Sequence, residues 1–392
     1  MSSLLTNASA MTALQTLSMV NKNLSTTQAR ISTGQKVATA SDNAAYWSIA
    51  TTMRSDVSAL GAVQEALGLG AAKVDTAYAG MEKAIEYVKQ IKDKLVAAQE
   101  PSADRAKIQG DISQLQDQLR GIAESASFSG ENWLQADITA GGGSVSKSVV
   151  SSFVRDSSGN VSVKTINYDL DSSTVLFDAG GNTAILDKTS TIEGASVTLN
   201  VNVGGVVGPH TVAAFSTEDV ITAGAGSSVF NGEHANDGTN DYVKVADDTW
   251  VIAVDQTTVA TQEIQFDDGT DVWAVDLTST AASTTSSVDT LSISTGTTSA
   301  QLDGMLQMVD DALTAMTSAA ASLGSISSRI DMQNDFISKL TDSLDRGIGR
   351  LVDADMEEES ARLSALQVQQ QLGIQALSIA NSGSQNILSL FR

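Results

Sequence analysis

The chain has 392 residues, with 23 Lys and Arg against 46 Asp and Glu, two prolines, two histidines and no cysteine. A balance of −23 argues against nucleic acid and anionic membrane surfaces as partners, because both are held by clustered cations. The missing cysteine excludes disulfides and thiolate metal sites, and the length admits two or three domains with a sizeable core.

Residues 1–29 carry one charged side chain, Lys22, and space Leu4 with Leu5, Ala8, Met11, Leu14, Leu17 and Leu24 at helical intervals, continuing to Ile31. No basic segment, unbroken apolar core or small-residue cleavage site marks a removable signal. After a break at Ser32-Thr33-Gly34 and a polar stretch to Asn43, a long helix is predicted from about Ala44. Its apolar positions, Leu60, Val63, Leu67, Val74, Tyr78, Met81, Ile85, Val88 and Leu95, step by threes, fours and sevens as in a coiled-coil seam. Val57 to Gln99 as one helix would span about 65 Å at about 1.5 Å per residue.

Pro101 and Ser102 predict a turn, with Pro suited to the first helical position. A third seam follows, Ile108, Ile112, Leu115, Leu119, Ile122 and Ala126, ending at Phe128-Ser129-Gly130. The short link predicts an antiparallel helical hairpin.

From Asp137 to Ala300 the period becomes alternating. Strands are predicted at 148–154, 161–166, 175–178, 195–203, 242–245, 249–254, 262–266 and 272–277. Ser158-Gly159-Asn160, Gly180-Gly181 and Asp268-Gly269 are read as hairpin turns. This stretch holds 5 Lys and Arg against 21 Asp and Glu, −16 of the total −23, which suits a solvent-facing region. At Gln301 the helical pattern returns through Leu302, Leu306, Val309, Leu313, Met316, Ala320 and Leu323, then less regularly to Leu351, with Gly347 and Gly349 expected to loosen it.

The last stretch, Leu363 to Phe391, has no charge at all. On a helical projection Leu363, Leu366, Ile374, Leu377, Leu388 and Phe391 form one stripe, and Val368, Leu372, Ile379 and Leu390 form another. Glutamines and serines interrupt it too often for a membrane span. One stripe can dock on the chain itself; the second needs a partner. With the charge-poor amino terminus it predicts two antiparallel helices, each half of an oligomerising element.

The fold class is therefore α+β and multi-domain: a coiled-coil-like helical bundle formed by both chain ends, with an inserted β-rich outer domain. Residues 1–42 and 352–392 are expected to form a terminal helical domain. Residues 43–188 and 293–351 would form an inner bundle with β-hairpins, and residues 189–292 an outer domain.

Local sequence adds a resemblance. Arg30-Ile31-Ser32-Thr33-Gly34-Gln35-Lys36-Val37 and Ala40-Ser41-Asp42-Asn43-Ala44-Ala45 resemble the amino-terminal signature of bacterial flagellins. Phe128-Ser129-Gly130 resembles their Phe-Asn-Gly turn, and Ile374 through Asn381 to Leu390 resembles their carboxy-terminal signature. The likeness covers about the first 135 and last 90 residues. It implies a subunit of a flagellar filament, exported unfolded through a type III channel into the medium. The implied partners are copies of itself, sister flagellins, an export chaperone, the filament cap and hook-junction proteins. The terminal stripes are expected to order as a subunit joins the tip, and the outer domains to touch on the filament surface. Ser41, Asn43 and Tyr46 replace the family's usual Lys, Asp and Gly, and Ile91 to Leu95 departs from its Arg-containing stretch. Weak detection by plant and animal flagellin receptors is therefore expected.

No catalytic residue, metal site or cofactor is predicted. His210 and His234 do not form a His-Glu-x-x-His pair, so the protease found in some flagellin outer domains is not expected. Gly141 to Gly143 with Lys147, and Gly68, Gly70 and Lys73, lack phosphate-loop spacing and are read as loop and packing positions. Asn236 to Asp241 and Asp267 to Asp271 are read as polar turns rather than calcium loops. Trp47 and Trp133 are expected to anchor the inner bundle, and Trp250 and Trp273 to fill the outer core. Competing readings are a hook–filament junction protein and a surface adhesin working through residues 190–292.

Overall fold

A computed structural model describes residues 7–100, 102–156, 158–223, 230, 232–256, 261–267 and 269–389, the side chains of 222, 223 and 383–389 excepted. Asn7 caps the first helix, α1 (Ala8–Thr33), by accepting from Ala10 N, and Gly34 ends it in a left-handed conformation, φ 70°, donating its N–H to Arg30 O. Helix α2 (Ala44–Ala98) starts where Asn43 Oδ1 accepts from Ala45 N and Tyr46 N. Helix α3 (Arg105–Ser125) is capped by Asp104. It begins four residues past Pro101, so Pro101 is not its first residue as expected; Pro101 itself lies outside the described residues.

The strands follow: β1 (Ser127–Phe128), β2 (Glu131–Asn132), β3 (Gln135–Ala136), β4 (Ser144–Arg155), β5 (Val161–Asp171), β6 (Phe177–Asp178), β7 (Ser190–Glu193), β8 (Ser196–Val203) and β9 (Val206–Ala213). A short helix, α4 (Thr217–Ala223), precedes β10 (His234–Asn236), β11 (Asp241–Ala246), β12 (Thr249–Asp255), β13 (Ile264–Asp267), β14 (Val272–Val275) and β15 (Ser283–Ser286). The chain ends in α5 (Ser299–Val352) and α6 (Met356–Ser389). Helical ends around a β-rich middle are what the sequence predicts.

The chain divides into two compact units, Met1–Glu65 with Ser152–Val163 and Gln333–Arg392, and Ala66–Ser151 with Lys164–Met332. In the first, α1 and α6 pair antiparallel, and the start of α2 packs on the end of α5 through Val37, Ala50, Ile348 and Val352. The 34–37 segment is stitched to the α5–α6 link: Lys36 N donates to Val352 O at 2.7 Å, and Ala354 N to Gly34 O at 2.9 Å. Helix α5 runs unbroken through Gly347 and Gly349, contrary to expectation. A Cβ on Gly347 would stand 3.0 Å from Met53 Cε, so that glycine serves close approach of two helices. Trp47, in the first turn of α2, is 37% exposed and is not the buried anchor expected, a further correction.

In the second unit α2 and α3 form the expected antiparallel hairpin, tied by Lys94 Nζ to Asp111 Oδ2 at 2.5 Å and closed by Arg105 Nε donating to Ala98 O. The α2 seam is Val74, Ala77, Met81, Ala84, Val88, Ile91, Leu95 and Ala98, all at or near zero exposure. Tyr78 and Ile85, expected in it, are half-buried on its shoulder, because the close-packed positions go to alanines. Gly70 does lie against Val149, where a Cβ would be 2.0 Å from Cγ1, whereas Gly68 has open space.

A five-stranded antiparallel sheet, ordered β10-β11-β12-β14-β13, packs Val243, Val251, Ala253 and Val275 against Val212 of the β8–β9 hairpin. Every predicted strand has a counterpart, while β1, β2, β3, β7, β9, β10 and β15 have no predicted one. Gly208 and Pro209 disguise β9, which tolerates them because it pairs on one side only, with β8. Gly180-Gly181 makes no hairpin. It lies over the parallel β3–β6 pair, where a Cβ on Gly180 would meet Asp137 Oδ1 at 2.0 Å. Trp250 is fully buried, Trp133 stacks on Tyr168 and Trp273 on His234.

Candidate assembly interface

The α1–α6 pair is a two-helix coiled coil. Its covered positions on α1 are Ala10, Ala13, Leu17, Val20, Leu24, Thr27 and Ile31; on α6 they are Glu359, Leu363, Leu366, Gln370, Gly373, Leu377 and Ala380. Both rows alternate steps of three and four. The register is antiparallel: Asn7 Nδ2 donates to Ala380 O at 3.0 Å, a Cβ on Gly373 would stand 3.2 Å from Leu17 Cδ1, Gln370 Nε2 donates to Asn21 Oδ1 at 2.7 Å, and Arg30 Nη1 meets Glu359 Oε1 at 3.0 Å.

What this pair leaves uncovered matters more. Met11 and Leu14 on α1 are 64% and 58% exposed, with Met19 beside them, and on α6 Val368, Leu372, Ile374 and Ile379 are 54–71% exposed. Leu17, Leu24, Leu363, Leu366 and Leu377 are at least half-buried in the seam. Ile374 is a correction. It is expected on the docked stripe, but it falls at the rim of that face, on the opposite flank from Leu372, and is 54% exposed. Leu4, Leu5, Leu390 and Phe391, and the side chain of Leu388, lie outside the described residues. Sequence reading missed Ala10, Ala13, Val20 and Thr27 on α1 and Glu359, Gln370, Gly373 and Ala380 on α6, all but Val20 small or polar. Small and polar seam residues give no apolar signal, and only the heptad spacing from Leu17 and Leu24 would have found them.

The signature residues are spread through the chain. Arg30 and Gly34 lie at the end of α1. Asp42 Oδ2 accepts from Ala38 N, Thr39 N and Thr39 Oγ1, and these bonds, led by Thr39, hold its carboxyl below the usual carboxylate range. Phe128 and Gly130 flank Ser129 in the β1–β2 turn, and Asn381 is exposed on α6.

Residues 4–139 match the bacterial flagellin N-terminal helical region, and residues 306–391 match the bacterial flagellin C-terminal helical region. The chain is 61% identical over 401 residues to Flagellin A of Rhizobium meliloti (strain 1021) and 58% identical to Flagellin D of Rhizobium meliloti, with all of each chain covered. It is also 37% identical over 393 residues to a flagellin of Brucella melitensis biotype 1, again over both full lengths. The chain belongs to the bacterial flagellin family. As a flagellin it is a structural subunit of the extracellular flagellar filament and not an enzyme. Rhizobium meliloti (strain 1021) has Flagellins A, B, C and D, so sister flagellins coexist among the relatives of this one.

The remaining polar clusters have internal explanations. His234 Nε2 lies 3.0 Å from Asp241 Oδ1 and is stacked between Phe266 and Trp273. Asp237 accepts from Thr239 N, Asn240 N and Tyr242 Oη, which spends its oxygens on its own turn. Asp267 Oδ1 likewise accepts from Gly269 N. Among the described residues no group of three or more potential metal ligands is assembled, and no helix is long and apolar enough to cross a membrane.

Proposed function

We propose that this flagellin polymerises by burying the outward stripes of α1 and α6 against neighbouring copies. The observation that carries the reading is the exposure of Met11, Leu14, Val368, Leu372, Ile374 and Ile379 in stretches, 8–21 and 363–389, that hold no charged side chain. Large exposed apolar surface is usually an interaction site, and isolated helices gain most of their stability from packing. Leu4, Leu5, Leu388, Leu390 and Phe391 extend the same surface in this reading. The terminal helices order fully when a subunit joins the tip. Copies of the chain and sister flagellins are the lateral partners. The export chaperone, the cap and the hook-junction proteins engage the same ends, and the acidic 189–292 region faces the medium, where outer domains of adjacent subunits meet.

The test is a full-length subunit carrying Leu372→Glu and Ile379→Glu, added to sonicated filament seeds. It is expected to keep its monomer helix content by circular dichroism and to elongate seeds at least ~100-fold more slowly, as for loss of a central apolar anchor. Elongation at the parent rate would refute the assignment.

A further inference from the structure

A seam repeating every seven residues has more than one way to close. Most of the α1–α6 contact is made by small or aliphatic side chains, so sliding α6 by one heptad, about 10.5 Å at about 1.5 Å per residue, returns apolar groups to apolar positions. Such a slip carries the outward stripe of α6 past that of α1 by the same distance. A polymer that places every copy identically needs one register.

Main-chain bonds join 34–37 to 352–354 at one end and Gly373 gives Leu17 room, and two side-chain pairs also break the degeneracy. Gln370 to Asn21 is the weaker, at the exposed flank. The stronger is Arg30 to Glu359. Glu359 is 5% exposed; its Oε1 is bonded by Arg30 Nη1 at 3.0 Å, its Oε2 has no partner, and the next cation, Arg362, stands at 3.7 Å while bonding Glu358. Of the two guanidiniums facing this enclosed carboxylate, only Arg30 hydrogen-bonds it, and only Arg30 comes from the other helix. A slip in one direction sets Arg30 opposite Leu366, and a slip in the other sets Glu359 opposite the Leu24 turn, in each case parting the buried Glu359 from the Arg30 guanidinium at the seam's flank.

We propose that the Arg30–Glu359 pair is the side-chain register lock of the terminal hairpin, acting with the main-chain bonds at 34–37, and that it contributes to assembly by positioning the two outward stripes relative to each other. The second half rests on the reading of those stripes given above. Polar pairs in coiled-coil seams set register at some cost in stability, so the lock need not make the monomer more stable.

The chain has no cysteine, which allows register to be read by crosslinking. In the full-length chain, Leu17→Cys with Gly373→Cys reports the native register; Leu17→Cys with Leu366→Cys or with Ala380→Cys reports the two slipped ones. Each pair is placed in the parent and in Arg30→Met/Glu359→Met, which removes both charges together and leaves neither stranded, and crosslinks are read in filaments grown from seeds, where the terminal helices are ordered. The parent is expected to form the 17–373 disulfide. The double variant is expected to keep its helix content, to gain 17–366 or 17–380 crosslinks and to elongate seeds at least ~10-fold more slowly, as when a register-specifying polar pair is lost. A double variant that crosslinks only at 17–373 overturns the lock. Slipped crosslinks with undiminished elongation overturn its part in assembly and, with it, the reading of the stripes. If the double variant fails to fold, the swap Arg30→Glu/Glu359→Arg replaces it. Native crosslinking in the swap, against slipped crosslinking in each single variant, sustains the lock; slipped crosslinking in the swap defeats it.

Discussion

At the scale of single residues, backbone conformation and buried carboxylates decide the outcomes. Ser129 sits at φ 52° in the exposed β1–β2 turn, a left-handed conformation that Asn adopts more readily than Ser. Ser129→Asn is therefore expected to stabilise the fold by about 0.5 kcal/mol, read from the urea midpoint. Asp178 is buried, and burial alone would raise its pKa. Hydrogen bonds from Thr139 Oγ1, Thr183 Oγ1, Gly180 N and Ile138 N together outweigh that and hold it at about 2. Because the folded value lies below the ordinary 3.8, its stabilisation is complete above pH 4 and is lost as pH falls toward 2. Neighbouring Asp187 is shifted upward by burial, so its own contribution has the opposite sign. Asp178→Ala is expected to cost about 3 kcal/mol at neutral pH and to flatten the acid limb of the stability curve between pH 4 and 2, measured by thermal unfolding across that range.

At the scale of elements, α3 is more than one arm of a hairpin. Gln116 Nε2 donates to both Val288 O and Leu291 O, Gln109 Oε1 accepts from Ile293 N, Arg105 Nη1 donates to Thr297 O, and Arg120 pairs with Asp289. One polar face of a helix thus holds the main chain of 288–297, where the chain returns from the β-rich region to α5. Gln116→Ala strands two buried carbonyls and is expected to cost about 2 kcal/mol; limited proteolysis should then cut within 288–297 well below the unfolding temperature. None of this was legible beforehand. The α3 seam announced itself through Ile112, Leu115 and Leu119, but a glutamine that bonds backbone carries no periodic signal. The misplacement of Tyr78 and Ile85 has the related cause that a hydropathy pattern favours large residues, whereas close-packed helices reserve their nearest positions for alanine.

At the scale of the whole molecule, the proposed assembly uses both chain ends in one surface. A chain lacking Leu363 to Arg392 is expected to keep the β-rich region and the α2–α3 hairpin folded, since their cores draw nothing from α6, and to form no filaments by electron microscopy. Filaments from that truncation would contradict the proposed interface. Periodicity and charge by themselves determined the helical ends, the long seams, the acidic β-rich insertion and the presence of an uncovered stripe on α6. These are properties of local repeat and composition, which a sequence records directly. The tertiary structure alone decided which residues turn inward. Ile374 faces out because α1 covers a face centred nearer Leu377, Gly180-Gly181 packs against Asp137 because β3 and β6 run parallel, and Glu359 becomes a buried partner of Arg30 across 329 residues of chain. Side-chain direction at such positions depends on a neighbour distant in sequence, and no window along the chain contains it.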